Sequence, residues 1–337
     1  MKRLNQAIPK EQKLTIADFM RRFPDDAACL HHIFLSQWAD GIVDCVTCKA
    51  PVKHHPVSGR KCYACQNCGT QVSPLVGTIF EKSCTSLKLW FYAMYLMSAT
   101  RCGISAKQLQ RETGVTYKTA WRMFKQIRTL MGEDIKLSGN VEVDETYCGG
   151  TRKGKTGRPM KGDTKKTAVV GMVERNGKII ARTVPEVSGS TLLNLIKDNV
   201  NPLASIFTDE WKGYSGVSHI TNRFYSHETI KHADSFVNGR IHTNTVEGFW
   251  SLVKGGIRGV YRQVGNEYLQ SYLNEYTFRY NHRRTPRPMF LCFWTWLASL
   301  HKQCIESRRA HRLHLLYGLR QRFECWLLHI PIVSLSV

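Results

Sequence analysis

Two Cys-x-x-Cys pairs, Cys45 with Cys48 and Cys65 with Cys68, are separated by sixteen residues, and they constrain the first part of this chain more than anything else in it. Each pair offers two thiolates from one tight turn. Tetrahedral zinc needs two such turns facing each other, so the spacing predicts a zinc ribbon. Four cysteines leave no coordination position for water, which makes the expected zinc structural. Cys62 also stands in Cys-x-x-Cys register with Cys65; Gly69, a knuckle turn residue, favours Cys65 with Cys68 and leaves Cys62 one step outside. The other seven of the twelve cysteines have no partner spacing. The N-terminal stretch "MKRLNQAIPKEQKLTIADFM" lacks an apolar leader, so a cytoplasmic, reducing location is expected and a disulfide framework is not. The longest apolar runs, "FLCFWTWLASL" and "CWLLHIPIVSLSV", are too short to cross a bilayer as helices, and no membrane partner is expected.

A length of 337 residues allows two or three domains, and 42% hydrophobic residues are enough for packed cores. The formal net charge of +22 points to a polyanionic partner, nucleic acid ahead of a membrane surface. Residues 1–40 read as helical, interrupted at Pro24, and the ribbon follows over 41–80. Within a helical block at 84–132, "GISAKQLQRETGVTYKTAWRMFKQIR" has the pattern of a helix-turn-helix DNA-binding domain. Ile104, Leu109, Val115, Ala120 and Met123 give its apolar face, Gly114 its turn and Thr116 the cap of its second helix. Tyr117, Lys118 and Thr119, with Arg122 a turn later, would enter a major groove.

From 138 to 290 the pattern becomes α/β (α+β), with strands before helices. "NVEVDETYCGG" alternates as a strand, and "KTAVVGMVERNGKIIARTVPEV" reads as two strands about an Asn176-Gly177 turn. "SGSTLLNLIKDNV" is a capped helix and "ASIFTDEWKGY" a buried strand that ends in an acid. "HTNTVEGFWSLVKGG" begins a helix that resumes as "EYLQSYLNEYTFRYNHRR". The first of these helices is expected to bury Phe249, Trp250 and Leu252 while Asn244, Glu247, Ser251 and Lys254 share another face. The tail over 291–337 has few acids and no motif.

Carboxylates inside apolar strands are costly unless a cation or proton compensates them. Asp144 and Asp209 each lie on such a strand, and Glu247 sits on the helix that follows. Strand, strand and helix together would make a divalent-metal cage whose hard oxygens suit Mg²⁺ or Mn²⁺. Two such ions would activate a water or a 3′-hydroxyl and stabilise the leaving oxygen of a phosphodiester. Period two turns Glu145 and Glu210 to the opposite face, and Glu142, on the face of Asp144, is a lesser candidate. Between the strands a Gly-rich loop concentrates Arg152, Lys153, Lys155, Arg158, Lys161, Lys165 and Lys166, a set suited to a phosphate backbone.

"VEVDETYCGG", "FTDEWKGY" and "HTNTVEGFWSLVKGGIRGVY" with "YLNEYTFRYNHR" resemble the catalytic domain of bacterial insertion-sequence transposases of the 1595 type. The upstream "CVTC", "CQNCGTQVSPLVGTIFE" and the helical block resemble that family's zinc ribbon and helix-turn-helix, so the likeness runs from about residue 20 to about 290. It implies a ribonuclease-H-like fold with an acidic Mg²⁺ site that cuts DNA at element ends and joins the freed 3′-hydroxyl to target DNA. Asp144 and Asp209 match its first two acids and Lys254 its basic position; Glu247, seven residues before Lys254, is assigned the third, with Asn244 a neighbour that could orient it or contribute an amide oxygen. His227 and His242 lie near family positions. The resemblance also implies double-stranded DNA partners, the terminal inverted repeats and the target, bound by a homo-oligomer. Two other readings stay open from the residues: a zinc-ribbon regulator whose α/β domain is inactive, and a resolvase-like nuclease that cuts without joining.

Overall fold

A computed structural model describes residues 13–100, 102–149, 166–220, 225–230 and 242–294. In chain order the elements are α1 (Ile16–Arg22), α2 (Asp26–Gln37), β1 (Ile42–Cys45), β2 (Ala50–Pro56), β3 (Tyr63–Cys65), β4 (Gln71–Val72), α3 (Leu87–Ala99), α4 (Ala106–Thr113), α5 (Tyr117–Thr129), β5 (Asn140–Cys148), β6 (Thr167–Glu174), β7 (Ile179–Val184), α6 (Gly189–Asn199), β8 (Ser205–Asp209), β9 (Ser226–Ile230), α7 (Asn244–Gly256) and α8 (Asn266–Asn281). Of the basic loop only Lys166 is described, half-buried just ahead of β6; Arg152, Lys153, Lys155, Arg158, Lys161 and Lys165 lie outside the described residues, as does the tail from 295.

The chain divides into two compact units, one holding Arg22–Lys88 and the other Leu89–Leu291 with the stretch up to Arg21. In the first, Asp25, just after Pro24, starts α2 by accepting the Ala28 amide at 2.8 Å. The four short strands form an antiparallel sheet in the order β1-β2-β3-β4. Its inward Tyr63 stacks on Phe34 of α2 with ring centroids 3.7 Å apart, so one aromatic pair closes a core too small for long strands.

The second unit is built on a five-stranded sheet in the order β7-β6-β5-β8-β9. β6 runs antiparallel to both neighbours, while β8 and β9 run parallel to β5. The Asn176-Gly177 turn expected between β6 and β7 is present, with Asn176 at φ 61°. One face of the sheet carries Val141, Val143 and Ile206 against Leu192 and Ile196 of α6. The other carries Val169, Val173 and Cys148 against Val246, Phe249, Trp250 and Val253 of α7 and Leu269, Leu273 and Tyr276 of α8. Burial on both faces explains why β6 reads as an unbroken apolar run. The expectation for Leu252 fails: it is 43% exposed, because α7 docks through 246, 249, 250 and 253, and Leu252 falls outside that stripe.

α4 and α5 pack against each other across a three-residue connection, with Gly114 at φ 72° and Thr116 accepting the Thr119 amide at 3.2 Å. α5 also packs on α8. Arg128 Nε donates to Glu275 Oε2 at 2.8 Å in the interior, where Arg279 and Tyr261 engage the other carboxylate oxygen.

Candidate active site

Glu142 pairs with Phe207 across the parallel β5–β8 ladder. Two residues further along both strands, Asp144 therefore stands level with Asp209, the last residue of β8. Both are partly buried. Burial pushes the Asp144 carboxyl up to about 7, and the charges of Glu145 and Asp209 push the same way. The indole of Trp250 opposes them, donating from Nε1 to Asp144 Oδ2 at 2.9 Å. Trp250 reaches that oxygen by crossing β6 at Gly171, the residue paired with Asp144; a Cβ at Gly171 would collide with the indole ring. Asp209 Oδ1 accepts the Trp211 amide at 3.1 Å, which fixes the turn leaving β8.

Alternation along β5 sorts the other acids. Glu145 faces the α6 side and accepts the Tyr214 hydroxyl at 2.7 Å, and Glu210 lies exposed beyond the strand. Glu142, on the Asp144 face, is wholly buried and fully used. It accepts the amides of Thr245 at 2.8 Å and Val246 at 3.2 Å, the Thr245 hydroxyl at 2.9 Å and Arg175 Nε at 2.7 Å. Thr243, at the cap position of α7, makes no side-chain cap bond, so a carboxylate from the sheet closes the helix start. His242 Nδ1 lies 3.0 Å from the same carboxylate, and its carbonyl accepts Arg175 Nη2 at 2.7 Å. His227 sits on the α6 side, bonded through Nε2 to the Thr208 hydroxyl at 2.9 Å, and burial lowers its pKa.

α7 thus runs along β5, from Thr245 beside Glu142 to Trp250 beside Asp144 and onward. Burial pushes the Cys148 thiol, four residues past Asp144 on β5, up, and the charge of Lys254 on α7 partly offsets this. Asn244 and Glu247 are exposed on this helix, and Glu247 Oε1 accepts the Thr243 hydroxyl at 3.2 Å. Among the described residues the four ribbon cysteines are the one group of three or more His, Cys, Asp or Glu placed to hold a metal ion, their ligand atoms all within 4.8 Å of one another; Asp144, Asp209 and Glu247 do not form such a group. Sequence reasoning missed the roles of Trp250, Arg175 and Glu142. A glycine inside an apolar strand, Gly171, was the available sign of a close approach.

The ribbon cysteines need no rearrangement. Cys45 and Cys68 sulfurs are 3.5 Å apart and those of Cys48 and Cys65 3.8 Å apart. Tetrahedral zinc with bonds of about 2.3 Å sets ligand sulfurs about 3.8 Å apart, so the set fits that ion. Both knuckles share one backbone form: Lys49 N–H donates to Cys45 O at 2.8 Å and Gly69 N–H to Cys65 O at 3.0 Å, each at positive φ. Thr70 draws the Cys68 thiol down to about 6, whereas crowding, led by Cys68, pushes Cys48 up to about 12. Cys62 stays outside, donating to Gln71.

On the second helix of the α4–α5 pair, Tyr117, Lys118 and Arg122 are exposed and Thr119 is half-exposed. The Lys107 ammonium lies 4.8 Å from the Tyr117 ring centre.

Residues 136–281 match the ISXO2-like transposase domain, and residues 24–71 match the transposase zinc-ribbon domain. An uncharacterized protein in transposable element ISH50 of Halobacterium salinarum is 26% identical over 74% of this chain and 89% of its own length. An uncharacterized transposase-like protein of Haemophilus influenzae is 28% identical over 31% of this chain and 81% of its own. A Mos1 transposase paired-end complex with its left transposon end aligns over 64% of this chain and 77% of that one, at 11% identity and a TM-score of 0.26. With a match to a transposase zinc ribbon followed by a match to an ISXO2-like transposase domain, the chain is similar to the insertion-sequence transposases of the 1595 type.

Proposed function

We propose that this transposase cuts and rejoins DNA with Asp144, Asp209 and Glu247 as its acidic set, in a domain of the ribonuclease-H-like kind. The observation that carries the reading is the level pair of aspartates on neighbouring parallel strands, roofed by the helix that bears Glu247 and Lys254. The sheet order, with the second strand alone antiparallel, supports the fold assignment. Divalent cations suit the site: burial and neighbouring carboxylates hold Asp144 near neutrality, and a cation would relieve both penalties. Bound Mg²⁺ would supply an acidified water or 3′-hydroxyl and charge compensation at the leaving oxygen.

The chain's own residues do the rest. Trp250 fixes one oxygen of Asp144 and so orients the carboxyl. Glu247 approaches from the solvent edge of α7 and completes the set by closing on the pair, with Asn244 one turn earlier able to offer an amide oxygen. Lys254, a point charge, holds a phosphate of the strand beside the scissile bond. Tyr117, Lys118, Thr119 and Arg122 present a basic, exposed helix start to a major groove, and the ribbon is held by structural zinc. Lys166 and the preceding basic loop add backbone contacts.

Labelled element-end DNA with Mg²⁺ tests this against the alternatives. Strand transfer by the wild type, lost in both Asp144→Ala and Glu247→Ala, is the expected result. Cleavage without joining would favour a resolvase-like nuclease, and binding with no cleavage would favour a regulator. Activity that survives Asp144→Ala would remove the metal-site assignment, and Asn244→Ala measures whether that residue shares the third position.

A further inference from the structure

At the start of α7, away from the aspartate pair, lies a cavity of about 370 Å³ whose walls include Arg175, His242, Tyr280, Arg283 and Arg284. All three guanidiniums are pinned. Arg283 lies with its guanidinium carbon 3.7 Å from the Tyr280 ring centre and donates to the carbonyls of Gly177 and Tyr280. Arg284 donates to the Asn176 carbonyl at 3.2 Å. Arg175 is held by Glu142 and the His242 carbonyl, with its guanidinium carbon 4.1 Å from the Phe207 ring centre.

Among the described residues, three arginines and no carboxylate line the hollow, with Glu174 at the same turn beside Gly177. Glu142 is wholly buried and already engaged by Arg175, Thr245 and Val246. Burial lowers the Arg283 pKa, Arg284 pushes the same way, and no carboxylate is among the opposing influences. Two neighbouring guanidiniums, each tied to a β6–β7 turn carbonyl, therefore face one hollow with surplus positive charge. Fixed guanidinium forks match tetrahedral oxyanions, and rigid placement lessens the entropy lost on binding.

We infer that this cavity is a phosphate subsite for a DNA backbone, gripping the strand that runs past the start of α7 toward Glu247. The inference rests on the transposase reading above and adds a contact outside the acidic set, the α5 helix and the basic loop. A phosphodiester offers only acceptor oxygens, which suits guanidinium donors, and arginines supply three of the lining residues. The contact carries no sequence information; it sets register.

Arg284 is exposed, so its replacement leaves the interior intact. The test is a salt titration of binding to two labelled duplexes, one with the element's terminal repeat and one unrelated, for wild type, Arg284→Gln and Arg284→Lys, with melting temperatures recorded. Arg284→Gln is expected to lower the slope of log affinity against log salt by about one, with melting unchanged, while Arg284→Lys keeps the slope. A drop on both duplexes assigns the subsite to any DNA, and a drop on the repeat alone assigns it to the element end. An unchanged slope on both, whether or not melting falls, overturns the subsite and leaves the transposase reading standing. Failure of the wild type to bind either duplex overturns both.

Discussion

Trp250 is a positioning residue placed in the core by its ring and kept there for its one N–H. Its indole fills the space that Gly171 leaves open and still reaches Asp144 at 2.9 Å. Trp250→Phe preserves most of the packing and removes the donor. The expected outcome is near-wild-type folding with Mg²⁺-dependent cleavage reduced on the order of 10–100-fold. A rate measured across Mg²⁺ concentrations checks it, and an unchanged rate would show that Asp144 needs no such tether. Asp144 itself gives a pH prediction. Its folded pKa, about 7, lies above the ordinary 3.8, so between those values the native state keeps a proton that the unfolded state has lost. Stability without divalent ions should therefore fall as pH rises through that window, by up to about 1.4 kcal/mol per unit. Asp144→Asn should raise the melting temperature above pH 7 in chelator and make little difference near pH 4. Equal effects at both ends would contradict the burial argument. The aspartates themselves were legible because acids in apolar strands are rare. The tryptophan was not, since an aromatic at helical spacing reads as core, which it also is.

At the scale of elements, α7 shows how a helix carrying polar residues is held against a sheet. Its apolar stripe gives area, but the buried Glu142 fixes the helix start by accepting two of its first amides, in place of the silent cap residue Thr243. Removing the carboxylate strands Arg175 and those amides together. Glu142→Ala should destabilise the second unit by about 3 kcal/mol or more in urea unfolding. Hydrogen exchange at the Thr245 and Val246 amides should speed up ahead of the rest of α7; uniform exchange along the helix would deny the capping role. Most elements were readable in advance: the Asn176-Gly177 turn, the Ser188 and Thr116 caps, and the strands ending at Cys148 and Asp209 all lie where local chemistry put them. β9 was not, because "SHETI" is a polar strand that, among the described residues, pairs only with β8 and carries no alternating apolar signal. Leu252 was misplaced for the converse reason: adjacency to Trp250 does not put a residue on the same helical face. The third acid's distance from the pair lies beyond sequence too, since seven residues before Lys254 fixes a spacing along a helix and no separation in space.

Over the whole molecule, the surplus of +22 and the separation of functions along the chain were visible at once, but not the way the α4–α5 pair is tied to the sheet domain. That tie is a buried ionic knot. Arg128, at the far end of the helix that begins with Tyr117, is 3% exposed and bonds Glu275, which is wholly buried in α8. Arg279 and Tyr261 fill the second oxygen of Glu275, and the Arg128 guanidinium carbon lies 3.8 Å from the Tyr272 ring centre. Burial opposes charge on both partners, yet mutual attraction keeps the Glu275 carboxyl below the usual carboxylate range and raises Arg128. Such a knot gives little net stability over apolar packing, but breaking one side leaves a charge without its partner. It does impose one relative placement of α5 and α8, which loose apolar contacts would not. Arg128→Ala should therefore destabilise the unit by about 3 kcal/mol, and Arg128→Met paired with Glu275→Gln, whose amide oxygen can still accept from Arg279 and Tyr261, should recover part of that loss. If the knot sets geometry, the double variant will fold and bind element-end DNA, yet cleave it at less regular positions. Mapping cleavage sites at nucleotide resolution decides the matter: cuts as uniform as the wild type's would reduce the knot to a packing detail, whereas scattered cuts would make it the part that aligns α5, the helix proposed to meet DNA, with the acids.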